Sequence, residues 1–360
     1  MRSSIRDSPA VAHLPRALAE AAHPRSPASA LDPESLLEEL TRGGRRLRAL
    51  PLARRLEAWR TAVARLLDEA SPARRELEAP LAEAVRLSPQ GLSAGLRAVA
   101  SGMLDASADV LFLSAARRRG AARERGAPER GSKPRREPAL VVLASNLPGL
   151  ALQTVLPALA CGRPLIVRSS EREPWFAPAL MRELTVAEPE LGEAFAALTW
   201  EHGGALEDAL LARCDPVLAY GGGAALAAMR ARVRGRFVEY GPKLSLGIVG
   251  DAVTDEEIER LARDVALFDQ RGCLSVQVVF SRAPLERVAA GLARGLDRQA
   301  DLLPPGPATF EEHAALRREL DLAREPILCS ATTADGLDQL WRFMLERVGR
   351  PGEAAADKDS

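Results

Sequence analysis

Lysine is nearly missing from this 360-residue chain. Only Lys133, Lys243 and Lys358 occur among 49 basic residues, which leaves 46 arginines against 49 acidic groups. The net charge is zero, so no basic excess marks a nucleic-acid partner. With alanine so abundant, the arginine skew reads as compositional bias rather than arginine recruited for binding. Cysteine and histidine are equally sparse: Cys161, Cys214, Cys273 and Cys329, and His13, His23, His202 and His313. Neither set has metal-ligand spacing, and no CxxC pair or disulfide framework exists. No apolar run reaches the ~18 residues of a membrane span, and the N-terminus has no signal-type apolar core. The expectation is a cytoplasmic chain with no membrane span and no metal.

The chain is long enough for two or three domains. Residues 1–30 mix Ser, Pro, Ala and His without period and read as a disordered lead. A helical segment follows over 31–116. Asp32-Pro33 is an N-cap signal, Gly43-Gly44 reads as an interruption, and Leu52, Leu56, Trp59, Val63, Leu66 and Leu67 form a stripe at helical spacing. Ser71-Pro72 and Ser88-Pro89 start further helices. Such a stripe is most simply core, packed on itself or on the next domain. Residues 117–137 form a basic linker, in which 117–136 carry nine basic residues and two glutamates, a charge of +7. A solvated linker is the plain reading; an anion-binding role toward a nucleotide-bearing substrate is secondary.

From Pro138 the pattern changes to continuous apolar runs separated by helical stretches. Strands are expected at 139–144, 164–168, 195–200, 216–220 and 236–240, with helices between them. This is βαβ grammar and implies a doubly wound, mostly parallel five-stranded sheet over 138–244. A second α/β segment, 245–350, contains a strand from Ser245, a helix from Thr254 to Phe268, a strand to Phe280 and a helix from Pro284. Helix 310–324, strand 326–330 and helix 335–348 then follow, and 351–360 form a polar tail.

Ligands of such sheets bind beyond the carboxyl ends of the strands, so the residues there are the candidates. Asn146 follows the first strand, where its carboxamide could donate to an oxyanion or merely form a turn. Gly221, Gly222 and Gly223 follow the fourth strand and could admit a phosphate to a helix N-terminus, although they lack the GxGxxG spacing and glycine turns also serve packing. Glu239 ends the fifth strand and is either a general base or a solvated surface carboxylate. Cys273 follows Gly272 in a tight turn after an Asp-Gln-Arg string. It is either a small buried apolar residue or a nucleophile whose thiolate Arg271 would favour.

Taken together these residues resemble the aldehyde dehydrogenase superfamily. Asn146, Arg168-Ser169-Ser170-Glu171, Tyr220-Gly221-Gly222, Glu239-x-Gly-x-Lys243 and Gly272-Cys273 occur in its order, at intervals of 22, 52, 19 and 34 residues from Asn146 through Arg168, Tyr220 and Glu239 to Cys273. The strings around Asn146 and Tyr220, and Leu267-Phe268-Asp269-Gln270-Arg271-Gly272-Cys273-Leu274-Ser275, are similar to the acyl-CoA reductase family, which includes the fatty-acid reductase of bacterial luminescence systems. The Asp-Gln-Arg-Gly-Cys-Leu-Ser string is specific; the glycine turn is not.

The resemblance implies an aldehyde-dehydrogenase-like α/β fold and NADPH-dependent reduction of an acyl-CoA or acyl-carrier thioester to aldehyde. Cys273 would accept the acyl group, and Asn146 with the Cys273 backbone N–H would form the oxyanion hole. Arg168, Ser170, Glu171, Gly221, Gly222 and Gly223 would flank NADP(H), and Glu239 would stand in the general-base position. Arg168 replaces the lysine usual in the superfamily, and the two differ in geometry. Only 87 residues follow Cys273, fewer than the resemblance implies, so the expectation is a shortened variant or a fragment whose cofactor cleft is incomplete. Two alternatives stay open: a non-catalytic relative serving as a partner or regulatory subunit, and an aldehyde-oxidising dehydrogenase using Glu239 as base.

Overall fold

A computed structural model describes residues 12–21, 31–104, 137–144, 147, 149–200, 202–272 and 275–308. The chain forms two compact units, one of Met1–Val85, Leu92–Gly221 and Ala228–Tyr240, the other of Arg86–Gly91, Gly222–Ala227 and the chain from Gly241 onward. The basic linker at 117–136 and the elements expected beyond residue 308 lie outside the described residues, as does the expected continuation of the last N-terminal helix to 116.

The first unit is built on a parallel sheet of β1 (Ala139–Val142), β2 (Leu165–Arg168), β3 (Phe195–Leu198), β4 (Val217–Tyr220) and β5 (Phe237–Tyr240), in the order β3-β2-β1-β4-β5. Every residue of β1, β2 and β3 is buried, as parallel strands covered on both faces should be. The chain winds outward from β1 to β3 and then returns to place β4 beside β1. The strand order therefore reverses between β1 and β4, where such sheets hold their ligands.

The N-terminal helices belong to this unit: α1 (Arg16–Ala21), α2 (Pro33–Ala49), α3 (Leu52–Leu67), α4 (Pro72–Val85) and most of α5 (Pro89–Leu104). Asp32 caps α2 by accepting from the Ser35 N–H at 2.9 Å. The crossover helices are α6 (Leu150–Ala160) between β1 and β2, then α7 (Phe176–Ala187) and the short α8 (Pro189–Gly192) between β2 and β3. The apolar stripe of α3 packs on α6 and α7, and α2 packs on α8 and β3.

Two expectations need correction. Gly43-Gly44 does not interrupt α2, which runs straight through it. A Cβ at Gly43 would overlap the Glu193 carbonyl, and one at Gly44 would lie 2.8 Å from the Pro164 ring. These glycines let the helix approach the loops beneath β2 and β3. Nor is the whole of 1–30 a disordered lead. His13 pairs with Ala197 as an antiparallel bridge, with two N–H to O bonds of 2.9 Å, and so covers the β3 edge of the sheet.

Helices α9 (Ala205–Arg213) and α10 (Gly223–Arg230) complete the crossovers to β4 and β5. The second unit carries β6 (Ser245–Val249), α11 (Asp255–Ala266), β7 (Val276–Ser281) and α12 (Leu285–Leu302), with β6 and β7 parallel. Its core gathers Val249, Ile258, Ala283 and Val288. Thr254 and Glu257 form a reciprocal capping box at the start of α11.

Candidate active site

The turn that precedes Cys273 holds three consecutive non-glycine residues at positive φ, a run found nowhere else among the described residues. After α11 the chain makes a 3₁₀ turn, Leu267–Gln270, in which Phe268, Asp269 and Gln270 have φ of 62°, 50° and 60°. Side-chain-bearing residues enter this left-handed region at a cost of about 1–2 kcal/mol each. Three in a row persist only because the surroundings fix them. Asp269 Oδ2 accepts the Gly306 N–H at 2.9 Å, and Arg271 Nη1 donates to the Arg86 carbonyl at 2.7 Å. Gln270 Nε2 donates to the carbonyls of Val265 and Val276, bridging the end of α11 to the start of β7. Ser275 closes the turn, its N–H on Gly272 O at 3.1 Å and its Oγ on Leu267 O at 3.3 Å.

Each polar residue of the Asp-Gln-Arg string thus anchors a different strand of backbone. The sequence reading gave Arg271 a thiolate-favouring role; its observed partner is the Arg86 carbonyl. Cys273 and Leu274 themselves lie outside the described residues.

The carboxyl ends of the first unit's strands carry the other candidates. After β1, Leu143 donates to Arg168 O at 3.0 Å. Asn146 lies outside the described residues; Gly149, at φ 81°, is described, and a Cβ there would press on Leu96 at 3.2 Å. Glycine there meets a left-handed backbone and a tight wall at once.

After β2, Arg168 is buried. Its guanidinium donates to Trp200 O at 2.9 Å and lies 6.0 Å from the Trp200 ring centroid. The ribose-holding position implied by the resemblance is therefore filled by a group turned inward, tying the end of β2 to the end of β3. The tip beyond it is open: Ser170 is half-buried, Glu171 and Arg172 are exposed, and Ser170 Oγ accepts the Arg172 N–H at 3.2 Å. Buried Glu173 then accepts the N–H groups of Trp175 and Phe176, at 3.1 and 2.8 Å.

After β4, Gly221 donates to Tyr240 O at 3.2 Å. A Cβ at Gly222 or Gly223 would meet nothing within 4 Å. Packing therefore does not require glycine at these two positions, and the start of α10 is open to an approaching group. Tyr220 and Tyr240 are in register across β4 and β5, and their rings stack at 4.5 Å and 10°. The sequence pattern singles out Tyr220 but not the pair, although two tyrosines ending consecutive parallel strands was the available signal. Glu239 is exposed and forms an ion pair with Arg230 at 2.9 Å. Among the cysteines whose state is described, Cys161 is exposed and Cys214 is buried, with burial pushing the Cys214 thiol up to about 12. No His/Cys/Asp/Glu cluster among the described residues could hold a metal, and no described helix is long and apolar enough to cross a membrane.

Comparison with known proteins gives a consistent setting for these residues. Residues 63–342 match the model of the family described as acyl-CoA reductase (LuxC), a stretch that contains every candidate from Asn146 to Cys273. The long-chain acyl-protein thioester reductase 2 of Photobacterium leiognathi is 27% identical over 220 residues, 59% of this chain and 45% of that protein. The long-chain acyl-protein thioester reductase of Aliivibrio fischeri is 29% identical over 215 residues, 57% of this chain and 44% of that protein. The chain thus spans a little under half the length of these relatives. In fold it is similar to an NAD-dependent benzaldehyde dehydrogenase from Corynebacterium glutamicum, with TM-score 0.56 and 16% identity over 79% of this chain and 64% of that one.

Proposed function

The chain belongs to the acyl-CoA reductase (LuxC) family, and from that membership we propose that it reduces an acyl thioester, on CoA or an acyl carrier, to the aldehyde. The observation that carries this reading is the Asp-Gln-Arg turn, a strained backbone fastened by three side chains immediately before Gly272-Cys273. Strain of that kind is retained where a side chain must be presented in one geometry. Cys273 thiolate attacks the thioester carbonyl, the bond to the CoA or carrier sulfur breaks, and that thiol leaves after taking a proton. The Cys273 backbone N–H donates to the oxyanion while it exists. Cys214, with its thiol held protonated, is unsuited to the same task.

NADP(H) supplies the hydride when bound. The chain after β2 and after β4 serves nucleotide binding, and the turn before Cys273 serves acylation. The open Gly222–Gly223 start of α10 fits a phosphate, because backbone N–H groups there can be approached without side-chain obstruction. Gly221 shapes that turn through its bond to Tyr240, and Ser170 and Glu171 present hydroxyl and carboxylate to a ribose. Arg168 supports them from below through Trp200 rather than touching the nucleotide itself. Glu239, paired with Arg230, is not needed to activate water in this reaction, because the acyl group leaves as aldehyde and not as acid.

Steady-state consumption of NADPH with a long-chain acyl-CoA, with the aldehyde identified as product, tests the reading. Cys273→Ala is expected to abolish turnover while leaving nucleotide affinity unchanged. Undiminished turnover in that variant would overturn the assignment.

A further inference from the structure

Between β2 and α7 the chain places one buried carboxylate that the proposed chemistry does not use. Glu173 is 5% exposed, and its Oε1 takes the N–H groups of Trp175 and Phe176 at the first turn of α7. Two residues earlier stands Glu171, at the exposed tip proposed to meet the nucleotide ribose. The tip is fastened on its other side by the Ser169 N–H on Leu198 O at 2.8 Å and by Arg168 on Trp200 O. Ser170, Glu171 and Arg172 are thus a short turn, exposed at Glu171 and Arg172, held between two anchors. One anchor is backbone and guanidinium; the other is a carboxyl group.

We infer that Glu173 is a positioning residue whose protonation sets the Ser170–Arg172 turn, making nucleotide affinity depend on pH. This rests on the reading of that turn as part of the nucleotide site. The neutral acid keeps its carbonyl oxygen on the two N–H groups without placing a charge in the interior. The ionised form must be kept in low dielectric or move outward, and outward movement drags the tip with it. A new negative charge so close to a phosphate-bearing ligand opposes binding as well. Both effects weaken binding as pH rises.

Burial pushes Glu173 up from 4.5 to about 7, opposed by the two backbone N–H bonds, and no charged side chain is among the causes. The charged groups that face α7 from its neighbours act elsewhere. Arg65 of α3 pairs with Glu183, Arg54 of α3 with Glu188, and Glu76 of α4 acts on Arg182. Nearer to Glu173, Glu171 and Arg172 are exposed and Arg168 is turned onto Trp200.

The test is NADPH affinity of the full chain by titration between pH 6 and 8.5, for wild type and Glu173→Gln. The wild type should lose about three- to tenfold in affinity across that range, relative to the variant, whose neutral amide accepts the same bonds at every pH. Titration of the wild type in buffers of different ionisation enthalpy gives a second readout that needs no variant: NADPH binding at pH 8 should take up a proton. Parallel pH profiles in the two proteins, or binding without proton uptake, would overturn the inference while leaving the nucleotide site standing. Absence of NADPH binding at every pH would remove the nucleotide reading and this inference with it.

Discussion

Two side chains give the account its sharpest tests at the level of single residues. Glu239 is half in solvent and held by Arg230 at 2.9 Å, an arrangement suited to a surface ion pair rather than a base awaiting a proton. Glu239→Gln is expected to leave NADPH-dependent thioester reduction within a few-fold of wild type. A loss of about 100-fold or more, the scale of a positioned general base, would instead favour aldehyde oxidation. His13 makes a different prediction. Burial lowers it from 6.5 to about 4, although its bond to Gly192 O opposes the shift. The unfolded segment therefore binds a proton at a pH where the folded one does not, so stability present above pH 6.5 is lost as pH falls toward 4. The loss is about 3 kcal/mol at full effect, and it falls on the local attachment of residues 12–21. Limited proteolysis within that segment should accelerate over this window in the wild type and hardly at all in His13→Gln. Equal acceleration in both would locate the acid sensitivity elsewhere.

At the level of elements, the contrast between two glycines shows which effect wins inside a helix. Replacing a helical glycine with alanine gains about 1 kcal/mol of propensity. At Gly102 in α5 a Cβ meets nothing within 4 Å, so Gly102→Ala should stabilise by up to that amount. At Gly43 the Cβ would overlap the Glu193 carbonyl, and forced repacking costs about 1–3 kcal/mol, so Gly43→Ala should destabilise. Denaturant midpoints decide both, and a stabilised Gly43→Ala would show that α2 can shift freely. The same glycines mark the limit of what the sequence made legible. Periodicity located α2 through α5 and all seven strands among the described residues, because apolar spacing is a local signal. It misread Gly43-Gly44 because the reason for glycine there lies about 120 to 150 residues away, at Pro164 and Glu193. Likewise Asp-Gln-Arg was recognisable as a string, but its partners Arg86 and Gly306 are far along the chain. The anchoring contacts of the string therefore became visible only in the fold. Gln270 joins α11 to β7, so Gln270→Ala should release the left-handed turn and slow acylation at Cys273 by about tenfold or more. The check is the single-turnover acylation rate; a rate unchanged from wild type would mean the turn holds without it.

At the level of the whole molecule, the sheet order reverses between β1 and β4, and the proposed nucleotide contacts follow from that reversal. The candidate nucleophile sits in a separately cored unit with its own fastenings. Acylation and nucleotide binding should accordingly be separable by mutation, the first lost in Cys273→Ala and the second kept. The central claim is that one cysteine carries the acyl group. It is tested most directly by incubating the full chain with a long-chain acyl-CoA in the absence of nucleotide, then measuring intact mass and mapping the modified peptide. The account predicts one acyl adduct per chain, on the peptide containing Cys273, that disappears with release of aldehyde when NADPH is added. An adduct on Cys161, Cys214 or Cys329, or no adduct at all, would contradict it.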